Sequence, residues 1–200
     1  MRRTIFIVII LVLTWLGYTA WPLYDMFVLV RAFETRNLET LERHVYFDSV
    51  RRSLSDQIVV AYIQRSGIRV PPLALAVPGA ALAIADPVVA KVVSPEALSE
   101  FLTIGWPVAV KPDVPRGTVG ISTKTIGNVW QVYAASEYGL GRFNVTVPQA
   151  VARPQRFGLE FKLLQWRWRL TAIRLPEAIL NLLADELIKA VKKQAQSSPH

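Results

Sequence analysis

The sequence predicts an α+β protein: an N-terminal transmembrane helix, a helical hairpin or array, then a four-stranded antiparallel meander and a C-terminal helix. Three observations carry this. Residues 4–24 contain no charged side chain. Apolar residues then recur at helical spacing, most clearly at Val50, Leu54, Ile58, Ala61 and Tyr62. Beyond residue 128 the period falls to two, in successive runs separated by turn residues.

The first element reads as a membrane anchor over residues 1–24. Arg2 and Arg3 precede a nearly pure aliphatic run from Ile5 through Leu11 to Leu13. About 20 residues of helix, rising 1.5 Å each, cross a ~30 Å hydrocarbon layer. Trp15, Tyr18, Trp21 and Tyr24 gather at the far end, where amphipathic rings settle among headgroups. The first charge after the stretch is Asp25, so the positive-inside bias keeps Arg2 and Arg3 in the cytoplasm and sends the rest across. A cleaved signal peptide needs small residues at −3 and −1. Cleavage after Ala20 would put Tyr18 at −3, which favours an uncleaved anchor.

Residues 25–193 read as one domain. Pro22 suits a first helical turn, and Phe27, Val30 and Phe33 follow near one face. Asn37 is placed to cap a short helix and Asp48 to cap a third, in which Arg52 and Asp56 form an i,i+4 pair. Residues 70–85 are uncharged but broken by Pro71, Pro72, Pro78 and Gly79, and end at Asp86-Pro87. They read as a buried or bilayer-resting segment, not a second span. Ser94-Pro95-Glu96 is a helix start, and Gly105 is placed to end that helix.

Residues 105–128 form a long loop, rich in Pro and Gly, with short edge strands over 117–122. Strands follow at 129–136, at Phe143/Val145/Val147, at Phe157/Leu159/Phe161/Leu163 and at Trp166/Trp168/Leu170. In the last run the alternation puts both Trp in the core and Arg167 and Arg169 in solvent. Pro176-Glu177 opens the final helix, with Ile179, Leu183 and Leu187 inward and Lys189, Lys192 and Lys193 near its end. Residues 194–200 are a polar tail.

Chemistry is sparse. There is no cysteine, which excludes disulfides, zinc-thiolate sites, thiol catalysis and a lipid-modified anchor. The histidines are His44, on a short helix, and His200, in the tail, so a Ser-His-Asp set has no well-placed base. No acid pair has metal-ligand spacing in a suitable loop, and no Gly-rich segment has phosphate-loop spacing. No catalytic residue, metal or cofactor is therefore assigned. A net charge of +8 favours anionic partners, with nine Lys/Arg against four Asp/Glu over residues 153–193. The partners read from the sequence are the membrane and an envelope protein, anionic lipid or amphipathic ligand; export speaks against nucleic acid. The alternative to a binding or structural module is an acid/base hydrolase using Asp48, Asp56 or Glu137, or a lipid-associating surface protein.

Arg31-Ala32-Phe33, Leu41-Glu42-Arg43-His44-Val45 and Val50-Arg51-Arg52-Ser53-Leu54 resemble an uncharacterised bacterial family, numbered 2939 among the domains of unknown function. Ser94-Pro95-Glu96-Ala97-Leu98, Tyr138 with Arg142-Phe143, and Trp168-Arg169-Leu170-Thr171 look like its later blocks. Tyr46 stands where that family tends to carry an acid. The resemblance implies a membrane-anchored protein of the bacterial envelope with no activity assigned; with the anchor and its charge bias, the expected location is the inner membrane, single-pass, N-terminus cytoplasmic and domain periplasmic.

Overall fold

The structure, a computed structural model, describes residues 2–67 and 79–197. Residues 70–78 of the apolar stretch and the last three of the tail lie outside these.

The first helix, α1 (Arg2–Thr35), is 34 residues long and serves two roles along its length. Residues 2–17 are exposed on every side. From Thr19 one face turns inward, and Met26, Leu29, Val30 and Phe33 are fully enclosed. The helix runs unbroken through Pro22, where the sequence pointed to a new start. Proline there leaves the Tyr18 carbonyl without its usual i+4 donor, but the packing of the rear half holds the helix in line. Among the described residues α1 is the helix long and apolar enough to cross a membrane.

Next come α2 (Leu38–His44), α3 (Phe47–Ser66), α4 (Ala80–Val89) and α5 (Pro95–Ile104). Asn37 accepts from the Thr40 N–H and Ser94 from the Ala97 N–H, two of the three caps the sequence pointed to. Asp48 is different: α3 begins one residue earlier, capped by Tyr46 without a side-chain bond, and Asp48 lies in its first turn. There its charge still complements the helix dipole. Asp86-Pro87, where the uncharged run ends, lies inside α4, and Asp86 pairs there with Arg51 of α3. That partner is Arg51 and not Arg52, which makes no ion pair with Asp56 among the described residues.

Gly105 ends α5 in the left-handed conformation, φ +81°. Residues 105–128 hold neither helix nor strand, so the edge strands foreseen at 117–122 are not formed. The segment is nonetheless fixed. Ile121 and Ile126 are buried, the Ile121 N–H reaches the Leu102 carbonyl at 2.7 Å, and Glu34 accepts from the Thr123 N–H at 2.9 Å.

Asn128 and Gln131 then form a reciprocal capping box for a short helix, α6 (Val129–Ala134), where alternation had pointed to a strand. The first strand is instead β1 (Ser136–Gly139), followed by β2 (Arg142–Val147), β3 (Phe157–Leu164) and β4 (Arg167–Arg174). They form one antiparallel sheet in the order β1-β2-β3-β4. The turns β1–β2 and β3–β4 therefore leave from the same end of the sheet. The last helix is α7 (Glu177–Ser197).

One sheet face carries Phe143, Val145, Val147, Phe157, Leu159, Phe161, Trp168, Leu170 and Ile173, all buried. It packs on α1, α2 and α5 in a continuous cluster with Phe33, Leu41 and Phe101. The outer edge of β4 is partly closed. The Tyr46 N–H bonds the Leu170 carbonyl, and the Gln57 side chain donates to the Ile173 carbonyl and accepts from the Leu175 N–H.

Candidate functional site

Two regions stand out: a polar groove on the open face of the sheet, and the end of the sheet where α1 emerges. The groove, about 480 Å³, lies between the polar face of the strands and the Ser49–Gln57 side of α3. Strand alternation dictates its chemistry, because the residues between the buried ones point here: Asn144 and Thr146 from β2, Glu160 and Lys162 from β3, Thr171 and Arg174 from β4. Gly158 also faces it, where a Cβ would press on the Arg174 stem at 3.0 Å.

Asp56 and Glu137, two of the three acids singled out in the sequence, both line this groove, while Asp48 does not. They stand at opposite sides. Glu137 is on β1, whereas Asp56 is on the helix whose Gln57 is bonded to the far edge of β4. Three strand spacings of about 4.8 Å put roughly 14 Å between the β1 and β4 backbones, and among the described residues no hydrogen bond joins the two carboxyls. Glu160 lies between them, 3.2 Å from the Lys162 ammonium and 3.8 Å from the Arg142 guanidinium. Acids and bases alternate along the walls, so the groove focuses neither sign of charge. His44 is remote, its Nδ1 2.9 Å from the Thr40 carbonyl on its own helix. Among the described residues no three His, Cys, Asp or Glu side chains are placed to hold a metal ion. No catalytic arrangement of residues is present among them.

An apolar concavity between sheet and helices, the feature that would mark a site for amphipathic ligands, is filled instead. Phe33, Phe101, Phe143, Phe157, Phe161 and Trp168 occupy that space with 1% exposure or less.

The second region surrounds α1 at Tyr18. The Tyr18 hydroxyl donates to the Gly139 carbonyl at 2.9 Å and accepts the Gly141 N–H at 3.0 Å, fixing the β1–β2 turn to the helix. The Tyr18 ring meets Trp168 edge-on, 6.2 Å between centroids. From Trp168 an aromatic chain continues through Phe143, Tyr138 and Tyr133 to Trp130. The Asp25 carboxyl faces the Trp168 backbone N–H and the Trp21 indole, with His44 and Arg167 nearby. Burial, with Tyr133 adding to it, pushes the Tyr138 phenol up to about 12.

The anchor residues read from the sequence divide here. Arg2, Arg3, Ile5, Leu11 and Trp15 are on the bare part of the helix, Tyr18 is in the clasp, and Trp21 is at the margin of the domain. Sequence reasoning missed Trp166. It sits not in the core but in the β3–β4 turn at 82% exposure, while Trp168 is buried at 1%. The alternating Trp-Arg-Trp-Arg pattern ran across a turn, and the signal that could have separated the two is the short connection needed before β4.

No curated protein and no solved structure matches this chain. A family model does, over just under half of the chain: residues 11–101, from the middle of the apolar stretch to Phe101 of α5. It takes in the Arg31, Leu41, Val50 and Ser94 blocks on which the resemblance rested and stops short of those at Tyr138 and Trp168. Over these residues the chain matches the family described as a protein of unknown function, DUF2939.

Proposed function

We propose that this chain is a single-pass, non-enzymatic module of the bacterial cell envelope, anchored in the inner membrane by residues 1–24 with its α+β domain on the periplasmic side. The observation that carries the reading is the division of α1: sixteen exposed, largely aliphatic residues continuous with a rear half that is the strut of the domain core. Sixteen residues exposed to water on all sides, among them Ile5, Phe6, Ile7, Leu11 and Leu13, would be a severe liability in an aqueous compartment. In hydrocarbon the same surface is at its lowest free energy. Arg2 and Arg3 supply the orientation, and Ile5, Leu11, Trp15, Tyr18 and Trp21 supply the span and its interfacial end. The burial of Thr19 and the contacts of Tyr18 with Trp168 and the β1–β2 turn also support an uncleaved anchor, because cleavage after Ala20 would strip both residues from the domain.

A hydrolase reading finds no support: Asp56 and Glu137 enter the groove from opposite sides, with no metal-holding cluster among the described residues. Binding or structural work is the reading that remains. It is tested by expression in a bacterial cell followed by alkaline-carbonate washing of the membranes. The chain is expected in the washed membranes at full length. A soluble form, shortened by the roughly 15–30 residues of a signal peptide, would contradict it.

A further inference from the structure

A helix that must cross about 30 Å of hydrocarbon needs about 20 residues, yet only residues 2–17, roughly 24 Å, are free of the domain. The span therefore has to include residues whose other face is already packed on the domain. Whatever surrounds α1 at Tyr18 is carried to the level of the lipid. The side chains found there are apolar and unsheltered. Leu140, at the tip of the turn clasped by Tyr18, is 103% exposed. Trp130 is 79% exposed, and its ring meets that of Tyr133 on the same helix, which shares a surface hollow with Trp15, Tyr18 and Leu140. Trp166 crowns the β3–β4 turn at the same end of the sheet.

The Trp166 turn is not what a stable hairpin would choose. Gln165 and Trp166 form a two-residue turn with φ of +51° and +61°, a conformation that favours Asn-Gly and penalises a bulky ring. A strained tryptophan with 82% of its surface exposed contributes nothing visible to the fold. Behind the tips, Arg142, Lys162 and Arg169 stand directly opposite one another across β2, β3 and β4, with Glu160 the acid that pairs with Arg142 and Lys162. Like charges so placed repel each other, unless anions lie against them.

We propose that Leu140, Trp130 and Trp166 form a membrane-docking face around the exit of α1, and that the Arg142–Lys162–Arg169 row meets the phosphates of an anionic phospholipid leaflet. This rests on the anchor reading above and adds that the domain lies on the bilayer instead of swinging free. The apolar tips enter the interface beside Trp15 and Trp21, and the cation row, which begins at Arg142 directly behind the Leu140-Gly141 turn, falls near headgroup depth.

The chain has no cysteine, so single reporters can be introduced one at a time. The full chain is reconstituted in vesicles of phosphatidylcholine with phosphatidylglycerol, carrying an environment-sensitive fluorophore at Leu11→Cys, Leu140→Cys or Glu177→Cys. The last marks the opposite end of the sheet. Lipids spin-labelled on the acyl chain are the quencher. Quenching several-fold stronger at 11 and 140 than at 177 is expected, and replacing phosphatidylglycerol by phosphatidylcholine should weaken it at 140 alone. Trp166→Gly should raise the melting midpoint by relieving the turn while at least halving the quenching at 140, a combination a purely structural residue does not give. Strong quenching at 11 with none above the 177 level at 140 overturns the docking face and leaves the anchor standing. Absence of quenching at 11 overturns both.

Discussion

Tyr18 of α1 receives the Gly141 N–H of the β1–β2 turn on its phenolic oxygen at 3.0 Å, joining residues 123 positions apart in sequence. The same hydroxyl donates to the Gly139 carbonyl, so it bonds both the end of β1 and the turn that follows it. It is the point at which the apolar helix stops being free and becomes part of the domain.

Tyr18→Phe keeps the ring against Trp168 but removes both bonds. Each is worth about 0.5–1.5 kcal/mol, so a loss of about 1–3 kcal/mol is expected by denaturant titration of the chain in detergent micelles. No change in midpoint would show that the clasp does not hold the turn.

Gly120 crosses directly beneath the end of α5. A Cβ there would sit 2.6 Å from the Ile104 carbonyl carbon and closer still to Thr103, both rigid backbone. Gly105, in the facing segment, is equally confined by the Val119 carbonyl at 2.7 Å and by its own φ of +81°. Gly120→Ala is expected to cost about 3 kcal/mol or more and to release Ile121 from the core. Thermal unfolding and limited proteolysis in the 105–128 segment measure this.

Asn128 and Gln131 satisfy two helix-end donors at once. Asn128→Ala removes one arm of that box and should cost about 1 kcal/mol. Because α6 carries Trp130, backbone amide exchange across residues 129–134 should rise in the same variant.

Tyr138 gives the domain a limit at high pH. Its folded value is raised from 10.0 to about 12, chiefly by burial and then by neighbouring Tyr133. The folded state thus holds the proton more tightly than the unfolded state. The stability this contributes is complete below pH 10 and is lost as pH rises towards about 12. Tyr138→Phe should flatten the fall in melting temperature over that window. An unchanged alkaline profile would assign the fall to other groups.

Much of the fold was legible in the sequence because its signals are local. The period-two runs around Phe143, Phe157 and Leu170 name the buried sheet face, and Ser94, Gly105 and Asn37 act where cap chemistry puts them. Two errors arose where local signals compete. Val129-Trp130-Gln131-Val132-Tyr133 is rich in strand formers, yet the Asn128–Gln131 box makes it helical. Trp166 and Trp168 alternate like strand residues although a turn separates their fates. The candidate sites were less legible because they are tertiary. Nothing near Glu137 in sequence announces Asp56 across the groove, and nothing near Tyr18 announces the Gly139–Gly141 turn. The partial enclosure of residues 18–24, on which the docking proposal rests, follows only from how the rear of α1 packs.

The most direct measurement is of topology. Two reporters are fused in turn after the C-terminal helix, one active only outside the cytoplasm and one only within it. Activity from the first and silence from the second is the expected result, and replacing Arg2 and Arg3 with acidic residues should weaken that preference. The opposite pattern from the unaltered chain would place the domain in the cytoplasm, and neither the envelope role nor the docking face could then stand.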